Sequence, residues 1–113
     1  EVVQVLIERT VKERLPDVSV EDLRQAWLGL LTRAKLNKHH TVRREQLSVR
    51  EQMTHVLRNL QSGTFIPFEQ LFDVDGGTPK LVVTFIAILE LAKEYLIEIQ
   101  QSETLGKIYV RAN

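Results

Sequence analysis

The sequence predicts a mainly α-helical chain in which one or two helices precede a winged helix-turn-helix, that is, three helices plus a small β-hairpin wing. Residues 47–113 run in the order helix, short extended stretch, helical turn, long helix and two alternating segments, which is the element order of that fold. Helical periodicity also marks the residues before 37. Between these regions, residues 33–44 hold Arg33, Lys35, Lys38, Arg43 and Arg44 with no acid, plus His39-His40, and lose apolar periodicity after Leu36. Such a composition reads as a connector. The expected division is a helical middle segment over 1–36, a basic linker over 37–46 and the C-terminal winged helix over 47–113.

Each element has a local cause. Residues 1–14 are helical in composition, but Val2, Val3, Val5, Leu6, Ile7 and Val11 spread around the axis, so no single face is defined. Pro16 ends that helix near Leu15. Ser19 is a suitable N-cap, and Glu21 and Asp22 complement the dipole of the helix it opens. At about 100° per residue, Val20, Leu23, Trp27, Leu30, Leu31 and Ala34 share one stripe of that helix, which therefore needs a partner. Ser48-Val49-Arg50-Glu51 is a capping box opening a helix to about Leu60, where Ser62-Gly63 stops it. Thr64 to Pro67 is short and extended, and Pro67 belongs only at an edge or a strand end. Phe68 to Phe72 makes one helical turn, and Asp73 to Gly77 has turn chemistry. Thr78 and Pro79 suit the N-cap and first position of a long helix running to about Leu96. Ile97 to Gln100 and Lys107 to Arg111 alternate and read as a hairpin.

Composition excludes several functions. Among 113 residues, 15 are basic and 15 acidic, and there is no cysteine. A disulfide framework, an iron–sulfur cluster, a Cys-containing zinc site and a thiol nucleophile are all ruled out, and a reducing compartment fits. A chain of this size buries roughly two thirds of its unfolded surface and needs no staple. The longest apolar stretch, Leu81 to Leu91, is interrupted by Thr84 and Glu90 and falls short of the ~20 residues of a membrane span, so no membrane association is expected. Glu1-Val2-Val3-Gln4 lacks the basic start of a secretory leader and the chain does not begin with Met, so it reads as a piece of a longer protein. Glycine-rich phosphate loops, nucleophile elbows and paired carboxylates are not recognisable, so neither catalysis nor a cofactor is expected.

Winged helices commonly read DNA with their third helix, and that helix should then carry cations. Here Lys80, Glu90, Lys93 and Glu94 are the only charges from Thr78 to Leu96, and there is no Arg for guanine and no Asn or Gln for adenine. Residues 1–46 hold nine basic and seven acidic residues, and residues 47–113 hold six and eight, so the winged helix is net negative and repels phosphate. Leu81, Phe85, Ile88, Leu89, Ala92 and Leu96 make a core-facing stripe, while Val82, Val83 and Ile86 project away from it. Either the upstream helices cover these three, or they form a protein-docking face; a contiguous exposed apolar patch favours docking.

Three runs carry a family resemblance: Leu47-Ser48-Val49-Arg50-Glu51-Gln52-Met53, Phe68-Glu69-Gln70-Leu71-Phe72 and Val82-Val83-Thr84-Phe85-Ile86-Ala87-Ile88-Leu89-Glu90-Leu91. They resemble segregation and condensation protein A (ScpA), the bacterial kleisin. Leu23 to Glu45 resembles the stretch that precedes that family's C-terminal domain. In the wing the family often has an aromatic where this chain has Leu105 before Gly106. The resemblance implies a non-catalytic linker in a condensin-like complex that compacts and segregates the chromosome, in the cytoplasm and on the nucleoid. It implies that the winged helix docks on the ATPase head of a structural-maintenance-of-chromosomes (SMC) protein and that the preceding segment binds a dimer of segregation and condensation protein B (ScpB). Carried onto this sequence, the head-facing residues are Val82, Val83, Phe85, Ile86 and Leu89 with Ile97, Ile99, Ile108 and Tyr109. The ScpB-facing residues are Leu23, Trp27, Leu30, Leu31 and Ala34.

Other features have plain readings beside functional ones. Trp27 either packs onto the winged helix or anchors in a partner's groove, and the family placement favours the partner. His39-His40 among cations reads as a solvated linker that touches DNA at most weakly and indirectly, rather than as a metal site. Asp73, Asp75 and Gly76-Gly77 lack the further ligands of a calcium loop. Two other functions stand as alternatives: a DNA-binding transcriptional regulator, and a structural module that self-associates through Val82, Val83 and Ile86.

Overall fold

A computed structural model describes residues 2–36, 48–103 and 106–113. The basic linker, with Lys38, His39, His40, Arg43 and Arg44, lies outside the described residues, as do Leu47 and Leu105. The described residues form four helices, α1 (Val2–Arg14), α2 (Val20–Leu36), α3 (Val49–Asn59) and α4 (Thr78–Lys93), and a small sheet of β1 (Ile66–Pro67), β2 (Ile97–Gln101) and β3 (Ile108–Ala112). Two 3-10 turns, Phe68–Leu71 and Val74–Gly76, lie between β1 and α4. The elements are those expected of a winged helix with two helices before it.

Local chemistry sets the helix ends. Ser19 Oγ accepts the Asp22 N–H at 3.2 Å, and Ser48 Oγ accepts the Glu51 N–H at 3.3 Å. These bonds satisfy amides that a helix start leaves free. Two ends differ from expectation. Gly77, not Thr78, is the cap of α4: its φ of 89° is left-handed backbone that glycine adopts without strain, and Thr78 is the first helical residue. The other end comes three residues before Leu96. Tyr95 takes φ 61°, while its N–H donates to Ala92 O and the Leu96 N–H donates to Leu91 O at 2.9 Å. This is a Schellman termination with tyrosine where glycine is usual, so no glycine in the sequence announces it.

The sheet order is β1-β3-β2, all antiparallel. β1 pairs Ile66 with Val110 and Pro67 with Tyr109, which puts Pro67 on an edge strand, where its missing N–H leaves no interior ladder bond unmade. Ile97, Ile99, Ile108 and Val110 point inward, and Glu98, Gln100, Tyr109 and Arg111 point outward.

Residues from both sides of the linker share one hydrophobic core. Val3, Ile7, Val11 and Leu15 from the first helix and its end, and Leu23, Trp27, Leu30 and Ala34 from α2, pack in the same cluster as Phe68, Phe85, Ile88 and Val110. At its centre Trp27 stacks on Phe85, with ring centroids 4.6 Å apart and planes at 27°. Phe68 and Phe72 approach Phe85 edge-on at 5.6 and 6.2 Å, the geometry that ring quadrupoles favour. Helices α1 and α2 therefore pack on the winged helix, covering hydrophobic surface that it would otherwise expose.

Polar staples fix the α1–α2 hairpin at its corner. The Arg14 guanidinium lies 4.6 Å from the centre of the Tyr95 ring, donates to the Tyr95 hydroxyl at 2.7 Å and donates to Lys93 O at 3.2 Å, one of the free carbonyls at the end of α4. Gln101 accepts the Ser19 N–H at 3.0 Å and donates to Asp22 at 2.7 Å. The two staples tie the turn between α1 and α2 to the end of α4 and to β2.

Candidate protein-docking surface

Helix α4 is the pivot of the molecule. Its buried residues, Leu81, Thr84, Phe85, Ala87, Ile88, Leu89, Leu91 and Ala92, cover more than half its circumference. Helix α3 packs along one side, where Thr84 Oγ1 donates to Gln52 Oε1 at 3.4 Å and to Lys80 O at 2.7 Å. On the other side, α1 runs in the same direction as α4. Leu6, Arg9 and Glu13 share a shallow groove with Ile86, Glu90 and Lys93, and Arg14 reaches Lys93 and Tyr95. Between these flanks lies a strip holding Val82, Val83, Ile86 and Glu90, each half-buried.

The proposed head-facing residues divide accordingly. Val82, Val83 and Ile86 keep part of their surface on the strip, and Val82 also packs against the core. Phe85 and Leu89 do not face outward: they are 0% and 2% exposed, because their positions turn them into the aromatic cluster and toward α1. Ile97, Ile99 and Ile108 are likewise buried beneath the sheet, since strand alternation directs them inward. Tyr109 is on the outer sheet face. Beside it the Arg111 guanidinium lies 4.7 Å from the Phe65 ring centre and pairs with Glu98 at 2.8 Å. Phe65 is half-exposed and escaped the sequence reading; its register position opposite Arg111, one residue before Ile66, was the signal that could have found it.

For the residues expected to face ScpB, the structure requires a correction. Leu23, Trp27, Leu30 and Ala34 are buried against this chain's own winged helix, and only Leu31 is half-exposed. Their stripe has a partner in the same polypeptide.

The strip has little to offer a nucleic acid. Lys80, near the start of α4, is held by Asp73 at 3.2 Å, and the residues that would meet base edges are aliphatic. A lone helix of ~10–12 Å diameter fits a major groove ~12 Å wide, whereas α4 is flanked by α3 and α1. Among the described residues, no three His, Asp or Glu side chains gather as a metal site, and no helix is long and apolar enough to cross a membrane. His55 is exposed on α3.

The third helix of this winged helix is walled in and aliphatic, a surface unlike the one with which DNA readers of that fold class meet base edges. Residues 3–113 match the family Segregation and condensation protein ScpA, and the chain belongs to that family. It is 45% identical over 97 residues to a segregation and condensation protein A of Xylella fastidiosa, covering 86% of this chain and 32% of the relative. A Coxiella burnetii protein of the same name is 39% identical over 97 residues, 86% of this chain and 36% of the relative. One from Listeria monocytogenes is 38% identical over 99 residues, 84% of this chain and 39% of the relative. The chain thus spans about a third of the length of these relatives.

Proposed function

We propose that this chain is part of a non-catalytic subunit of a chromosome segregation and condensation complex, and that its winged helix docks on the ATPase head of an SMC protein. The observation that carries the reading is the aliphatic strip of Val82, Val83 and Ile86, half-exposed on the helix where a DNA reader would carry cations. Tyr109, with Phe65 and Arg111 beside it, supplies a second contact from the outer sheet face. Aromatic and arginine side chains of this kind are enriched at interface centres.

Binding of ScpB takes a conditional form. Leu23, Trp27, Leu30 and Ala34 are open to a partner only when α2 has left the winged helix, so internal packing and capture of that stripe exclude each other. Each fully buried large side chain contributes roughly 1.5–3 kcal/mol, so the packed state is strongly preferred.

Capture assays test the reading. The wild-type chain and Ile86→Asp are each mixed with an SMC ATPase head and with duplex DNA at ~0.2 M salt. Wild type is expected to retain the head, the variant to lose it, and neither to retain DNA. Equal retention of the head by both chains removes the strip from the interface, and tight salt-dependent DNA binding restores the regulator reading.

A further inference from the structure

The two edges of the sheet are finished differently. At one edge β1 is two residues long and contains Pro67, which cannot donate to a further strand. At the other edge β2 runs for five residues, Ile97-Glu98-Ile99-Gln100-Gln101, with no proline, glycine or lysine to deter pairing.

Ladder geometry identifies the backbone groups that the β2 edge presents. The Asn113 N–H donates to Leu96 O at 3.1 Å, so Leu96 and Asn113 face each other as a hydrogen-bonded pair. Bonded and non-bonded pairs alternate in an antiparallel ladder. Glu98 with Arg111 and Gln100 with Tyr109 are therefore bonded pairs as well, and Ile97, Ile99 and Gln101 turn their N–H and C=O away from β3. Among the described residues, no other main-chain or side-chain group bonds to these outward groups. The turn between α1 and α2 does not seal them. Ser19 and Asp22 reach β2 at the Gln101 side chain, not at its main chain, and a groove of about 520 Å³ lies between the strand and Arg14, Leu15, Pro16 and Asp17. The side chains of Ile97 and Ile99 are buried beneath the sheet, so the edge offers main chain rather than apolar surface. A row of unpaired donors and acceptors beside a groove is a template for one more strand.

The strand that fits is β2 of a second copy. Turned antiparallel about a two-fold axis at Ile99, it pairs Ile97 with the partner's Gln101, Ile99 with the partner's Ile99 and Gln101 with the partner's Ile97. Each pair exchanges both hydrogen bonds, so every outward group of the edge is used. On the outer face this register sets Glu98 opposite the partner's Gln100, an amide against a carboxylate, and does so twice. A register shifted by two residues either sets Glu98 against the partner's Glu98 or leaves Ile97 without a strand partner.

We infer that the β2 edge is a self-association site, at which two copies of this chain join β2 to β2 in the register centred on Ile99 and merge their three-stranded sheets into one. The contact is isologous and closes at the dimer, because the outermost strands of the merged sheet are then the two β1 strands with their Pro67. It uses neither the α4 strip nor the outer sheet face that carries Tyr109, so it does not rest on ATPase-head docking.

Sedimentation equilibrium and amide hydrogen exchange of the purified 113-residue chain test it. The weight-average mass should rise from the 13.1 kDa of one chain toward twice that value at about 0.5 mM, as for a small interface, and no further. Over the same range the Ile97, Ile99 and Gln101 amides should exchange several-fold more slowly, whereas those of Glu98 and Gln100, already bonded to β3, should change little. Gln100 is exposed, so its substitution leaves the fold intact, which circular dichroism and thermal midpoints check. Gln100→Glu sets a carboxylate opposite the partner's Glu98 and Gln100→Lys sets an ammonium there. The two dimer dissociation constants should differ at least about tenfold, with Gln100→Lys the tighter, and converge as salt is added. Ile86→Asp, on the α4 strip, should associate as wild type does. A chain that stays monomeric throughout would overturn the assignment, as would an association that leaves those amides unprotected or is lost in Ile86→Asp, or equal dissociation constants for the two Gln100 variants.

Discussion

Helices α2 and α4 each carry an apolar stripe that the sequence offers to a partner, and the fold treats the two differently. The α2 stripe is sealed: Trp27 is 3% exposed and stacked on Phe85. On α4 the strip of Val83 and Ile86 is half-open between α1 and α3. Periodicity alone does not distinguish them, because it reveals a face but not what covers it. The contrast shows that an aromatic anchor at helical spacing marks core as readily as interface, and that the branched aliphatics away from a complete core stripe are the ones that keep exposed surface.

Substitutions can break or sharpen this contrast. The largest effect is expected from Trp27→Ala, which empties the aromatic cluster and should cost about 3–5 kcal/mol in urea unfolding. A cost below ~1 kcal/mol would mean that α2 does not contribute to the core in solution. Next comes the staple that holds the hairpin. Arg14→Ala loses two hydrogen bonds and the contact over Tyr95, and should cost about 1–2 kcal/mol in the same assay. In that variant, a further Tyr95→Gly change should return about 0.5–1 kcal/mol by relieving the left-handed backbone, whereas in wild type the lost Arg14 contacts offset the relief. Ile86→Asp should move stability by about 1 kcal/mol or less while removing ATPase-head capture, the opposite balance to Trp27→Ala. Smallest is Arg111→Ala. Its pair with Glu98 is partly solvated, so a thermal melt should register at most about 0.5 kcal/mol.

Much of the fold was legible because its causes are local. Ser19 and Ser48 cap the helices they were expected to cap, Pro16 lies just beyond α1, and the alternation of Ile97, Ile99, Ile108 and Val110 marks the inner face of the wing. Errors arose where a cause was not local. The end of α4 depends on Tyr95 adopting a conformation usually left to glycine, under an arginine 81 positions earlier. A face for α1 could not be named because its apolar residues serve two neighbours, α2 and α4. Of the candidate site, Val82, Val83, Ile86 and Tyr109 kept exposed surface, and Phe85, Leu89 and the three wing isoleucines did not. Strand alternation already contained the answer for the isoleucines, and angular projection contained it for Phe85 and Leu89.

The sequence by itself determined the order of elements, most of their ends, and an aliphatic, charge-poor third helix unsuited to reading DNA. These follow from backbone sterics, capping chemistry and side-chain charge, which act within a few residues. Only the tertiary structure decided that the α1–α2 hairpin lies on the winged helix, that Trp27 belongs to the core, and that a narrow strip of α4 stays open. Burial depends on which surface arrives from elsewhere in the chain, and no periodicity within one helix specifies that surface.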